Sequence, residues 1–202
     1  MRRVGNKQKK EISLLILALS VFGICTYFVS TGRFSAFEYE AFDLVYKPTG
    51  SLALGMYLIT QTASVAGFLA IVTCLLVAKK IKLSLKLLTC GLVTYSVIYV
   101  AKLLIARPRP HLILPDVTAY YDAVSDFGFP SGHAAIAVTV AMVLAPSTPK
   151  RYRWLIWLWV LLVGISRISL GVHAPLDIVG GICVGVVSVC ALRLVSFGTK
   201  KH

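Results

Sequence analysis

The 202-residue chain predicts an all-α polytopic membrane protein: six transmembrane helices in one domain, residues 1–202, with both ends in the cytoplasm. Three observations predict it. Apolar residues make up 57% of the chain and charged residues only 14%, with a mean hydropathy of +0.81. The apolar residues collect into six continuous stretches, near 12–31, 52–78, 86–105, 131–147, 153–170 and 175–195. Most approach the ~20 residues that an α-helix needs to cross a ~30 Å hydrocarbon core, and they lack the strict alternation of a membrane β-barrel. Finally, the basic residues sort onto alternate loops.

With the amino end placed inside, 15 of the 21 Lys and Arg residues fall on the inner side against one acid, Glu11. The remaining six, Arg33, Lys47, Lys102, Arg107, Arg109 and Arg167, fall outside with the other acids. This is the positive-inside bias. It accounts for the net charge of +13 as topology and contact with anionic lipid rather than nucleic-acid binding.

The first stretch follows a basic start, as a signal peptide does. It is longer than an ordinary signal-peptide core and lacks a small-x-small cleavage site at Ser30-Thr31-Gly32-Arg33, so it is expected to stay as a helix. Residues 32–51 space Phe34, Phe37, Ala41, Leu44 and Val45 at near-helical intervals, with Glu38, Glu40 and Asp43 between them. A short helix on the membrane surface is expected there. Cys25, Cys74, Cys90, Cys183 and Cys190 all lie in apolar runs without zinc spacing and read as small hydrophobic residues.

The third stretch ends in the first of three polar blocks, Lys102-x6-Arg109-Pro110. Lys102 complements the negative end of its helix, and Pro108 and Pro110 hold Arg109 on extended chain. The outer segment 106–130 carries Tyr120, Tyr121, Phe127 and Phe129, which suit headgroup anchoring or a collar around a substrate.

The second block, Pro130-Ser131-Gly132-His133, reads as a helix start. Ser131 is a good N-cap, and Gly132 allows a ligand to approach the backbone. The free amide groups of such a helix start bind anions, and His133 stands in that first turn.

The third block, Ser166-Arg167-x5-His173-x3-Asp177, occupies the turn between the last two stretches. Gly171 breaks one helix and Pro175 starts the next. Asp177 is spaced to accept the His173 Nδ1–H, which would leave Nε2 free to attack. Ionisable groups beside lipid are costly and mark a functional site by default. Two arginines and a lysine suit a multiply charged oxyanion, and a His–Asp pair suits nucleophilic or proton-transfer work. All three blocks fall on the outer face by a charge rule that does not depend on them.

Together the blocks resemble the three signatures of the type 2 phosphatidic acid phosphatase (PAP2) superfamily, which also includes the vanadium haloperoxidases. The resemblance implies a PAP2-like membrane domain whose core motifs span 102–177. It implies His173 as the nucleophile of a phosphohistidine intermediate, Asp177 as its orienting base, and His133 as the proton donor to the leaving oxygen. Lys102, Arg109 and Arg167 would hold the phosphoryl oxygens, with hydrogen bonds from Ser131 and the Gly132 amide. No metal or other cofactor is expected, because three cations can stabilise the charge that Mg²⁺ stabilises elsewhere.

The expected function is hydrolysis of a lipid phosphomonoester or diphosphate at the extracytoplasmic face of the cell membrane. Phosphatidic acid, phosphatidylglycerol phosphate and polyprenyl diphosphate are candidate substrates. Neither nucleic acid nor an obligatory protein partner is expected. Haloperoxidase activity is disfavoured because those relatives are soluble. Two other functions are an anion transporter or channel, whose sites favour the midplane, and an inactive lipid-binding relative. The latter is disfavoured because no chemically required position is substituted.

Overall fold

The computed structural model describes residues 5–30, 34–46, 50–121 and 127–199. The outer charges Arg33 and Lys47 and the terminal charges Arg2, Arg3, Lys200 and Lys201, on which the charge asymmetry partly rests, lie outside the described residues. Among those described, the regular structure is entirely helical. The elements are α1 (Asn6–Ser30), α2 (Ala36–Val45), α3 (Gly50–Gln61), α4 (Val65–Val77), α5 (Ile81–Ile105), α6 (Pro110–Ile113), α7 (Gly132–Leu144), α8 (Arg153–Ser169) and α9 (Pro175–Thr199). Two 3₁₀ turns, Ala145–Ser147 and Lys150–Tyr152, connect α7 to α8.

Among the described residues, four segments are long and apolar enough to cross a membrane: α1, α5 continued to Ile113, α8 with its preceding turn, and α9 to Ser196. The stretch near 52–78, expected as one helix, is instead two, α3 and α4, bent by 52° at Gln61–Val65. The physical cause is the polar cluster Gln61, Thr62 and Ser64. Here hydroxyls compete with the helix for backbone partners. Thr62 Oγ1 donates to the Ile59 carbonyl at 2.6 Å, and Ser64 caps α4 by accepting the Gly67 N–H at 3.2 Å. Trp159 Nε1 on α8 donates to Thr62 Oγ1 at 2.7 Å and braces the break. Gly67 is required at this bend, because a Cβ would sit 2.4 Å from the Thr62 carbonyl oxygen.

The fourth stretch is also shorter than its neighbours. It forms α7, 13 residues long, and every residue from Ala134 to Val143 is buried. A helix apolar on all sides belongs at a core, and α7 is packed by α5, α8 and α9. The closest approach is to α9, where Gly181 faces the Ser131 carbonyl and Gly185 the Ala135 carbonyl. A Cβ would stand 2.3 Å and 2.6 Å from those oxygens. The Gly181-x3-Gly185 spacing puts both glycines on one helix face, which lets the two backbones meet as small residues do between membrane helices. Thr94 on α5 and Thr139 on α7 share a buried hydrogen bond at 3.0 Å. Helix α1 packs along α9, and α3 along α8.

Helix α2 forms within the segment expected to hold a short surface helix. Ser35 caps it by accepting the Glu38 N–H at 3.1 Å, but its acids do not all face outward: Glu38 is buried with Phe42. All five cysteines are free thiols, four of them buried.

Candidate active site

The first polar block turns the chain at the end of α5. Lys102 lies in the last helical turn, and Ala106 ends the helix in a left-handed conformation, φ 49°. Pro110 then opens α6 at its first position, leaving Arg109 extended and buried. Arg109 Nη1 donates to the Val172 carbonyl at 2.9 Å. Lys102 Nζ donates to the Phe127 carbonyl. The Gly128 N–H donates to the Arg107 carbonyl at 2.7 Å, so the returning chain is pinned beside the first block.

The second block begins α7. Ser131 Oγ accepts the Ala134 N–H at 3.5 Å, a long cap, while the Ser131 N–H donates to the Asp177 carbonyl at 2.9 Å. That backbone bond locks the start of α7 onto the first turn of α9. Ser131 is fully buried, whereas Gly132 and His133 are half-buried.

The third block is the α8–α9 turn. Gly171 takes φ +73°, and a Cβ there would lie 2.5 Å from the Thr118 carbonyl oxygen, so both conformation and space favour glycine. The Val172 and His173 N–H groups both donate to the Arg167 carbonyl at 3.2 Å. Arg167, nearly inaccessible, approaches Thr60 Oγ1 through Nη1 at 3.4 Å. The Asp177 carboxylate accepts the Ala174 N–H on Oδ2 at 2.8 Å and faces His173 Nδ1 with the same oxygen at 3.4 Å. This geometry favours the Nδ1–H tautomer and leaves a lone pair on Nε2.

These elements surround one cavity of about 460 Å³. Lys102, Arg109, Arg167, His133, His173 and Gly132 line its polar part. Val65, Ala66, Tyr95, Ile98 and Tyr99 line the rest. Val65 and Tyr99 are 55% and 66% exposed, so the apolar side opens on the outer surface of the bundle between α4 and α5. The structure therefore brings together six of the eight residues singled out from sequence. The other two stand behind the cavity wall: Asp177 supports His173, and Ser131 holds the start of α7. The break between α3 and α4 adds Gln61 and Ser64 to the lining, a contribution missed from sequence.

Two further residues were missed. Arg107 Nη1 donates to Asp177 Oδ1 at 2.7 Å and to Glu38 Oε1 at 3.0 Å, while its Nη2 donates to Glu38 Oε2 at 2.7 Å. Glu38, Arg107 and Asp177 are 2%, 4% and 0% exposed. A usable signal was present, because Glu38 is four residues from the apolar Phe42 and so shares its helix face.

His173, in the turn between α8 and α9, has its imidazole held well below the usual value near 6.5. Burial is the main cause, followed by the charges of Arg109, Arg167 and Lys102 and then by His133. These surroundings favour the neutral ring over the imidazolium. Among the described residues no group of three or more His, Cys, Asp or Glu is placed to hold a metal ion.

A family model described as PAP2 superfamily matches residues 83–200. An undecaprenyl-diphosphatase from Sulfolobus acidocaldarius is 26% identical over 197 residues, covering 93% of each chain. The crystal structure of Aquifex aeolicus LpxE superposes with a TM-score of 0.71 at 24% identity, covering 80% of this chain and 96% of that one. A transmembrane PAP2-type phosphatidylglycerolphosphate phosphatase from Bacillus subtilis gives a TM-score of 0.68 at 23% identity, covering 95% and 96%. These two likenesses establish the fold. The Sulfolobus and Bacillus relatives are named as phosphatases of lipid phosphates, and the apolar helices mark this chain as a multi-pass membrane protein.

Proposed function

The chain belongs to the PAP2 superfamily, and from that premise we propose that it hydrolyses a lipid phosphomonoester or diphosphate through a phosphohistidine intermediate. The observation that carries the reading is the shared cavity: three cations and two imidazoles line one side, hydrocarbon the other. A lipid phosphate has the matching division, an anionic head on an apolar tail. Phosphatidic acid, phosphatidylglycerol phosphate and polyprenyl diphosphates all fit this chemistry.

In the first step the His173 Nε2 lone pair attacks phosphorus. The bond from phosphorus to the leaving oxygen breaks with its electron pair, and His133 delivers a proton to that oxygen. Asp177 accepts the Nδ1–H and stabilises the positive charge that develops on the ring. Lys102, Arg109 and Arg167 bind the equatorial oxygens, where the Gly132 amide and Ser131 contribute at the start of α7. In the second step His133 takes a proton from water, the hydroxide oxygen attacks phosphorus, and the P–N bond breaks. Inorganic phosphate leaves and His173 is restored. A cationic pocket of this kind stabilises charge without a metal ion and disfavours divalent cations.

The reading treats residues 1–202 as one PAP2-like domain in the cell membrane. Six crossings result when α3 with α4 counts as one span and α7 with its 3₁₀ turn as another. The distribution of basic residues supports cytoplasmic termini and an extracytoplasmic site.

The test is phosphate release from a panel of lipid phosphates in detergent with EDTA, comparing wild type with His173→Ala. Release by wild type and its loss in the variant are expected. Unchanged release in the variant overturns the nucleophile assignment, and loss of wild-type activity on chelation overturns metal independence. A transporter or an inactive relative would release no phosphate at all.

A further inference from the structure

Glu38 and Arg107 stand outside the mechanism above, yet they are tied to it by short, buried side-chain contacts. Both Glu38 oxygens take the Arg107 guanidinium, at 3.0 Å and 2.7 Å, and Arg107 Nη1 continues to Asp177 Oδ1 at 2.7 Å. Glu38 Oε1 also accepts the Leu176 N–H at 3.3 Å, one residue before Asp177. The Phe34 ring lies 4.8 Å from the guanidinium carbon and helps to seal this buried chain.

We infer that Glu38, acting through Arg107, is a positioning residue that holds Asp177 in the orientation His173 requires. A carboxylate bonded on one oxygen alone can pivot. Here Arg107 holds Oδ1, so Oδ2 stays aimed at the Ala174 N–H and His173 Nδ1. The planar Arg107 fork needs a second anchor to keep that direction, and Glu38 grips both its amino groups. A buried ion pair contributes little net stability once its desolvation is counted. Its effect is therefore expected in the aim and charge of the dyad rather than in folding alone. The geometry also assigns α2 a function: this short helix carries the outermost member of the relay.

This inference rests on the phosphohistidine reading, and the experiment separates the two. Full-length protein in detergent would be assayed for phosphate release from phosphatidic acid and a polyprenyl diphosphate across pH. The variants are Glu38→Gln, Arg107→Lys and His173→Ala. The charged or titratable groups facing His173 are Asp177 from α9, Arg167 from α8, Lys102 from α5, His133 from α7 and Arg109 from the α5–α6 link. Glu38 and Arg107 act behind Asp177. Removing the Glu38 charge leaves the imidazole in a more positive field, so imidazolium is disfavoured and the acid limb of kcat/KM moves to lower pH.

Glu38→Gln is expected to lower kcat about tenfold or more with KM little changed, by analogy with residues that orient a metal-binding histidine through a hydrogen bond. Arg107→Lys keeps the charge but loses the fork, and is expected to lower kcat with KM again held. It carries the test should Glu38→Gln not fold. Wild-type kcat in either variant, or a Glu38→Gln acid limb that stays in place, overturns the inference alone. A wild-type enzyme that releases no phosphate, or a fully active His173→Ala, overturns the phosphatase reading and this inference with it.

Discussion

Arg109 Nη1 stands 3.4 Å from His173 Nε2, the nitrogen proposed to attack phosphorus, while it donates to the Val172 carbonyl at 2.9 Å. A fixed cation beside a nucleophilic nitrogen has two effects: it disfavours protonation of that nitrogen and gathers phosphoryl oxygens around it.

The first effect sets the pH response. A lowered imidazole pKa leaves His173 neutral and competent to lower pH, so its acid limb in kcat/KM should lie below the ordinary histidine value of about 6.5. Arg109→Gln removes one of the charges that cause that depression, while Arg167, Lys102, His133 and the Asp177 carboxylate remain. The acid limb should then move up toward ordinary histidine. The rate should fall about 10²–10³-fold, as when one oxyanion donor is lost. Profiles of both proteins on one substrate cancel the titration of the phosphate itself. An acid limb that moved down would contradict the electrostatic account.

His133 shares the cavity with His173 but belongs to another helix, and its proposed role depends on the leaving group. His133→Gln should slow lipid phosphate hydrolysis about 10²–10⁴-fold, the usual range for a positioned general acid. With an activated ester such as p-nitrophenyl phosphate, whose phenolate needs no proton, the first-step defect should shrink sharply. Burst kinetics on that ester should show phosphohistidine accumulating, because the same residue activates water in the second step. An equal defect on both substrates, without a burst, would remove His133 from acid–base work.

Close packing of α7 on α9 gives a stability prediction. Gly181→Val places side-chain carbons where the Ser131 carbonyl lies within 2.3 Å of a Cβ, so the helices must separate. A loss of about 1–3 kcal/mol is expected from such overpacking, with activity falling as well because Ser131 and Asp177 share a backbone bond across this contact. Thermal inactivation in detergent measures it. Gly23→Val, where a Cβ meets nothing within 4 Å, is the control and should behave as wild type.

The all-helical membrane fold and six of the cavity-lining groups were legible in the sequence because each rests on a local signal. Continuous apolar runs mark helices in lipid, and buried charges beside them are rare enough to stand out. The α3–α4 break was not legible, since the three polar residues Gln61, Thr62 and Ser64 inside a 27-residue run barely change its average hydropathy. The relay through Glu38 and Arg107 was legible only in part: Glu38 shares a helix face with the apolar Phe42, but no local pattern pairs it with Arg107. Those residues lie 69 positions apart, and a glutamate on a short outer helix is ordinarily solvated. Arg107 was read only as a surface charge, although it stands two residues before Arg109. Of the aromatics in the outer segment, Tyr121 pairs with Tyr57 of α3 at 5.0 Å, while Phe129 is buried beneath Gly180.

The 13 residues of α7 rise only ~20 Å, well short of a ~30 Å bilayer interior. Its start is level with that of α9, because the Ser131 N–H meets the Asp177 carbonyl there. The 25 residues of α9 therefore run on past the far end of α7, and the shortfall falls on the side away from the cavity. There the two 3₁₀ turns carry the chain from α7 into α8, leaving the end that bears His133 free of any constraint from helix length.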